Sequence, residues 1–213
     1  NGIDYNHIDL WGLDVNLKNI YQKADSVNAR IDGLAFRESS GFVLNDLNGK
    51  FIMNDESFRL SEMHIETPES DVRGLAQFTF KDFSDFSNFE NKVKMRFDLE
   101  PSTVQMSDVA YFASDLWGFN EQFQISGKVR GKVNNLKGRK LDITYGDQTR
   151  FKGRIDLSGL PNIDQTFISL DVDELTSSKS DLDRIPLPPF SEQKTISTPA
   201  NIARLGTMSF TGD

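Results

Sequence analysis

The sequence contains no cysteine, which excludes disulfide bonds and thiolate metal sites. It has only two histidines, His7 and His64, far apart in the chain. No run of about 18 apolar residues is present, so no segment reads as a membrane-spanning helix. Basic residues are also scarce: 24 Lys and Arg stand against 32 Asp and Glu, for a net charge of −8. Binding to nucleic acid is therefore not expected, because phosphate backbones attract basic surfaces.

The aromatic residues are unevenly distributed among types, with 17 Phe, 4 Tyr and 2 Trp. Phe has no polar group on its ring, so this composition favours an apolar surface that excludes water over a hydrated surface that binds polar ligands. A glycan-binding β-sandwich would present exposed Trp or Tyr, and Trp11 and Trp117 are the two tryptophans available. We therefore rank a glycan-binding protein below an apolar scaffold.

Apolar and polar residues alternate with a period of two through most of the chain, which is typical of half-buried strands. Short breaks rich in Asn, Asp and Gly separate consecutive runs, as in an antiparallel meander. The sequence predicts an all-β fold, mainly antiparallel, forming one continuous curved groove over residues 1–213. The alternating runs cover residues 51–53, 58–60, 63–65, 72–80, 93–99, 123–133, 141–145, 151–157 and 168–172.

Two segments depart from this alternation. Residues 107–119 carry apolar side chains at helical spacing after the capping residue Ser107, and predict one short helix. Residues 181–199 contain several prolines and predict a loop or linker that begins with a helical turn.

A short element with the pattern apolar-x-Gly-x-apolar recurs along the chain, and its glycine falls on the apolar phase each time. Glycine weakens a strand, but it also permits a sharp bend toward the face that lacks side-chain bulk. Ordinary bulge or close-packing glycines are the alternative interpretation. The glycines in question are Gly49, Gly74, Gly127, Gly131 and Gly153, and Phe210-Thr211-Gly212 begins another copy.

Bending of this kind would turn the meander into a trough with an apolar floor. The predicted lipid-facing floor residues are Val93, Met95, Phe97, Ile125, Val129 and Ile155. A Phe also recurs at every third position from 80 to 89, as Phe80, Phe83, Phe86 and Phe89. This ladder predicts either an exposed apolar flap beside the groove or a connection whose Phe side chains pack into the core.

Signals for catalysis are weak, and we predict that the chain is not an enzyme and takes no metal or other cofactor. His64 falls on the polar phase of a strand, and Asp171, Asp173 and Glu174 alternate as on an exposed strand face. The sequence contains no calcium-binding loop with its central glycine, no Gly-x-Ser-x-Gly nucleophile elbow and no glycine-rich phosphate-binding loop.

Several short segments, in their order along the chain, resemble proteins of the TamB-type translocation and assembly family of Bacteroidetes. They lie between roughly residues 70 and 185: 108–113, 125–131, 135–137, 159–168, 175–178 and 181–182. The resemblance implies membership of the AsmA-like superfamily, whose members are anchored in the inner membrane and cross the periplasm as a long hydrophobic β-groove. It also implies phospholipid acyl chains as cargo and an Omp85-type outer-membrane barrel as partner.

The chain begins at Asn1 and ends within a recurring glycine element, so we expect it to be a piece of a longer protein. Contact with a barrel partner would then belong to another part of that protein. The leading functional hypothesis is a conduit that shields phospholipids between the two membranes. The alternative is a scaffold for outer-membrane protein assembly that accepts client strands on an open sheet edge.

Overall fold

The computed structural model describes residues 2–4, 7–199 and 208–212, without the side chain of Asp164. They form one open, curved sheet of twelve strands, which confirms the predicted fold class. The strands are β1 Leu10–Lys23, β2 Ser26–Glu38, β3 Val43–Leu44, β4 Asp46–Asn54, β5 Ser57–Glu66, β6 Asp71–Thr79, β7 Lys94–Gln105, β8 Gln122–Lys132, β9 Asn135–Tyr145, β10 Thr149–Ser158, β11 Phe167–Ser177 and β12 Met208–Gly212.

Each strand pairs antiparallel with the next along the chain, except that the two-residue β3 pairs beside β4 on β2. Helical structure is limited to short connections. The α-helices are α1 Phe89–Lys92, α2 Met106–Ala110 and α3 Lys179–Leu182, and 3₁₀ turns span Phe83–Asn88, Ser114–Leu116, Ile163–Gln165 and Phe190–Glu192. A meander of this kind buries one face of each strand only if something covers that face or the sheet bends over it.

The strand register aligns apolar side chains into rows that run across the sheet, perpendicular to the strands. Residues directly opposite each other in antiparallel strands share a face, so each row lies on one side. One row consists of Ala29, Phe51, Leu60, Ala76, Phe97, Val129, Gly138, Ile155 and Leu170. The next row consists of Val27, Met53, Phe58, Phe78, Met95, Gly131, Leu136, Leu157 and Ile168. We call the surface that carries these rows the apolar face.

A third row alternates glycine with large apolar residues and coincides with a line of β-bulges. Gly74 pairs with both Met63 and Leu99, and Gly153 pairs with both Leu141 and Val172. Register shifts adjoin these positions, and Glu62 and Lys140 adopt positive φ angles opposite Gly49 and Gly127. Bulges bend a strand and increase its twist. This glycine row, hereafter the crease, therefore runs along the sheet from β4 to β12. Gly131 lies outside it, two rows away and opposite Met95.

Glycine is required at the crease by space as well as by backbone angle. Gly74 has a φ of +134°, and a Cβ atom there would lie 2.1 Å from the backbone oxygen of Asp98 on the neighbouring strand. A side chain at this position would therefore push β6 and β7 apart.

The structure corrects three details of the sequence-based expectations. Strands β1 and β2 were not among the predicted strands. The predicted helix over 107–119 is divided into α2 and a 3₁₀ turn, because Tyr111 and Phe112 leave the helix and pack their rings against Phe42 at centroid distances of 5.6 and 5.0 Å. The loop over 181–199 starts within α3 and then folds back onto the connection between β7 and β8, where Phe190 is buried against Phe119, so it is not an extended linker.

Replacing Gly74 with alanine should destabilise the fold by about 3 kcal/mol, because the new methyl group meets backbone and the φ angle is unfavourable. Gly33→Ala is the matched control, since its nearest contact would be the Asp46 side chain at 3.6 Å. That variant should change stability by less than about 1 kcal/mol. Urea unfolding of both variants measures the difference, and equal destabilisation would contradict a steric role for the crease.

Candidate functional site

The apolar face is the most extensive candidate site in the part of the chain that the structure describes. Its two rows cross nine strands, from β2 to β11, which at about 4.8 Å per strand corresponds to about 38 Å. Most side chains on it are half-buried: the predicted floor residues Met95, Phe97, Ile125, Val129 and Ile155 all lie on this face in that state. Val93 differs from them, since it precedes β7 and is completely buried beneath the connection from β6.

No second sheet and no long helix covers this face among the described residues. In a two-layer β-sandwich, side chains at such positions would be buried by the opposing sheet. Here the neighbouring aromatic rings of the face provide much of the cover, as with Phe58 and Phe78 at 4.8 Å and Phe78 and Phe97 at 5.7 Å. The result is a continuous apolar surface on a curved sheet, without a covering layer among the described residues.

The connection from β6 to β7 forms a wall at one end of the strands. Phe86 stacks on Phe58 with ring centroids 5.8 Å apart, Phe89 lies 5.9 Å from Phe78, and Phe80 is buried beneath them. Buried Asp85 fixes the backbone by accepting from the Lys81 amide at 2.8 Å and pairing with Lys92 at 3.2 Å. Three of the four Phe residues in the predicted ladder therefore hold the connection to the sheet, and Phe83, 56% exposed, projects from it.

A second aromatic wall stands at the opposite end of the strands. The connection from β7 to β8 contributes Tyr111 and Phe119, which contact Phe42 and Phe190 respectively. The loop that carries Phe42 is fixed by Glu38, whose carboxylate accepts from the backbone and hydroxyl of Ser40. These hydrogen bonds hold the pKa of Glu38 at about 2. The apolar face is thus bordered by aromatic side chains at both ends of its strands.

The opposite face of the sheet is polar and is held by ion pairs across neighbouring strands. Asp142 pairs with Arg150 and Glu174 with Lys152 across strands, and Asp98 pairs with Arg96 of its own strand and with Arg130 of β8. These cations keep the pKa of each carboxyl below the ordinary value. A carboxyl that donates a proton near neutral pH needs a raised pKa. The predicted exposed positions of Asp171 and Glu174 fit this ladder, since Asp171 pairs with Arg154.

The one group of potential metal ligands among the described residues consists of His64, Glu66 and Asp71. The Nε2 atom of His64 lies 3.1 Å from an oxygen of each carboxylate. Arg73 already donates two hydrogen bonds to Asp71, at 2.9 and 3.1 Å. A divalent cation would have to displace this guanidinium, so the arrangement is better suited to an ion-pair network. The other histidine, His7, is an exposed neighbour of Asp4.

A cleft of about 460 Å³ lies beside the second wall, between Tyr111, Trp117 and Gly41. Two acidic residues, Glu69 and Asp108, line it. Asp108 accepts hydrogen bonds from Thr67 at 2.6 Å and Ser70 at 2.5 Å, which fixes the turn between β5 and β6. The Asp108 carboxylate is therefore engaged in holding the turn.

The chain matches no protein-family model, no curated protein and no solved structure. Among the described residues, no helix has the length and apolar character needed to cross a membrane. The resemblance to the TamB-type family therefore stays a prediction, and the site is interpreted from its own geometry.

Replacing Phe86 with alanine should destabilise the chain by about 2 kcal/mol, because it removes a half-buried ring that packs on Phe58 and Phe80. Phe83→Ala removes the same side chain from an exposed position of the same turn and should cost less than about 1 kcal/mol. Thermal unfolding compares the two variants. Equal small effects would indicate a loose flap, contrary to the packed wall described above.

Proposed function

We propose that this chain forms a stretch of hydrophobic groove that shields phospholipid acyl chains from water, and that it is not an enzyme. One observation carries the proposal: a long, continuous apolar face on a curved single sheet, without a covering layer among the described residues. Such a surface is stabilised by contact with an apolar ligand in the same way that a protein core is stabilised by a second layer.

The energetics suit a mobile ligand. Each methylene removed from water contributes about 0.8 kcal/mol, so one long acyl chain gains about 10 kcal/mol before the costs of binding. Successive strands place similar side chains in one row, for example Phe58, Phe78 and Met95. A chain that moves by one strand therefore exchanges one apolar contact for a similar one, which allows sliding with little net change in free energy.

The resemblance to TamB-type proteins supports a cellular setting for this activity. We propose that the chain works in the periplasm, as part of an inner-membrane-anchored envelope protein that carries phospholipid between the inner and outer membranes. An Omp85-type barrel partner would be contacted by another part of that protein. The polar outer face, with its cross-strand ion pairs, suits a groove surrounded by water.

Carboxylates introduced on the apolar face should separate an open groove from a closed core. In Phe97→Asp and Val129→Asp, the new charge can stay hydrated in the empty groove but opposes apolar ligands. We expect folded variants with a modestly lower melting temperature and about tenfold weaker uptake of a fluorescent phospholipid from donor vesicles. Thermal unfolding and vesicle transfer are measured on the same samples.

Gln77→Asp is the matched control for these variants. Gln77 lies on the polar face of β6, between Arg59 and Arg96 on the neighbouring strands, so an added carboxylate is favourable there. This variant should retain full lipid uptake. Unfolding of both apolar-face variants would argue for a closed core, and unchanged uptake by folded variants would exclude a lipid path over this face.

The second candidate function, a scaffold for outer-membrane protein assembly, is favoured by the unpaired sheet edges. Among the described residues, no strand pairs with the outer side of β1, and the first residues of β11, from Phe167 to Leu170, extend beyond their pairing with β12. Client strands would add to these edges through backbone hydrogen bonds. Such binding would survive Val129→Asp, whereas acyl-chain binding would not.

A further inference from the structure

Four connections at one end of the strands converge on the cleft beside Tyr111 and Trp117. The loop after β2 contributes Gly41, the turn between β5 and β6 contributes Glu69, and the loop after α3 contributes Gln193. The connection from β7 to β8 contributes the two aromatic residues. Loops held by a rigid scaffold are a frequent location for ligand sites. The cleft volume of about 460 Å³ lies in the range of small-molecule sites.

The aromatic side chains of the cleft are held in place by packing. Tyr111 meets Phe42 edge to face at a centroid distance of 5.6 Å, and Trp117 meets Tyr111 edge to face at 6.3 Å. Trp117 is still 47% exposed, so part of its indole remains available to a ligand. At the next position, a Cβ atom on Gly118 would lie 2.6 Å from the backbone oxygen of Phe190. The missing side chain therefore lets the loop after α3 approach this side of the cleft.

Both charged side chains that line the cleft are acidic. They are Glu69 and Asp108, and no Lys, Arg or His stands among the described residues that line it. Glu69 is held through its backbone, whose amide donates to Thr67 and whose carbonyl accepts from Gln122, and its carboxylate has no partner among the described residues. Thr67 and Ser70 both donate to Oδ2 of Asp108, and neither donates to Oδ1. Two carboxylates without a cationic partner attract a positively charged ligand.

We propose that this cleft binds a small quaternary ammonium ion between the indole of Trp117 and the carboxylates of Glu69 and Asp108. The quadrupole of an aromatic ring attracts a cation over its face, and quaternary ammonium groups are the ligands that use this interaction most often. Divalent metal ions instead require several oxygen ligands, which aromatic side chains do not supply. A free choline-like cation and the ammonium group of a phospholipid headgroup share this chemistry. The proposal does not rest on the lipid groove, because the same groups would bind a soluble cation.

Tryptophan fluorescence measures this binding directly, because Trp11 and Trp117 are the two tryptophans of the chain. In the Trp11→Phe variant, the emission comes from Trp117 alone. We expect choline to change this emission saturably, with a dissociation constant on the order of 1 mM or lower. The neutral analogue of choline, in which carbon replaces nitrogen, has the same shape without the charge. It should bind at least tenfold more weakly.

Substitutions in the cleft test the two parts of the site separately. Glu69→Gln removes one charge and should weaken choline binding about tenfold, whereas Glu56→Gln, in the exposed turn at the other end of β5, should leave it unchanged. Calorimetric titration of Trp117→Ala should show no measurable binding, and Trp117→Phe should recover part of it. Trp11→Ala is the matched control, since Trp11 is 49% exposed on β1. Melting temperatures of the same samples separate loss of the site from loss of the fold.

Comparison of choline with a short-chain phosphatidylcholine, kept below its micelle concentration, identifies the source of the cation. Tighter binding of the phospholipid assigns the cleft to a lipid headgroup, and equal or weaker binding assigns it to a soluble cation; either result supports an ammonium site.

Three results would overturn the proposal: no binding of choline, equal binding of the neutral analogue, and unchanged affinity in Glu69→Gln. A neutral disaccharide that binds where choline does not would assign the cleft to a glycan and would also overturn it. Because choline has no acyl chain, these failures would leave the proposed groove function standing.

Discussion

The rest of the structure depends on how an amphipathic sheet without a second layer deals with its apolar face. A flat sheet of twelve strands would expose that face fully to water. The chain instead places a glycine or a bulge at the same level on successive strands, and Gly74 and Gly153 have no space for a side chain. Curvature then brings neighbouring apolar rows closer together and leaves them half-buried.

Each of the other features supports this arrangement. The Phe86 and Phe119 walls close the two strand ends of the apolar face, and Asp85 and Glu38 fix the backbone behind them. Ion pairs on the outer face are largely exposed, so each contributes little to stability. Their larger effect is to keep that side of the sheet in water and so define which face remains for a ligand.

The sequence predicted the strands with regular alternation and the bending glycines, because period-two patterns and glycine on an apolar phase are local signals. It did not predict β1 and β2, because bulges at 12–13 and 19–20, and another beside Asp32, shift the phase of alternation. The choice between a flap and a packed connection at Phe86 depended on contact with Phe58, 28 residues earlier in the chain. Long-range packing of this kind leaves no periodic signal in a sequence.

The central claim is that acyl chains lie on the apolar face, and photochemical labelling tests it most directly. A phospholipid with a diazirine in its acyl chain is bound to the intact chain, irradiated, and the labelled residues are mapped by peptide mass spectrometry. The account predicts labels on apolar-face residues such as Phe51, Phe97 and Ile143 and none on the ion-pair ladder of the outer face. Labels confined to the β1 edge or spread over the outer face would contradict it.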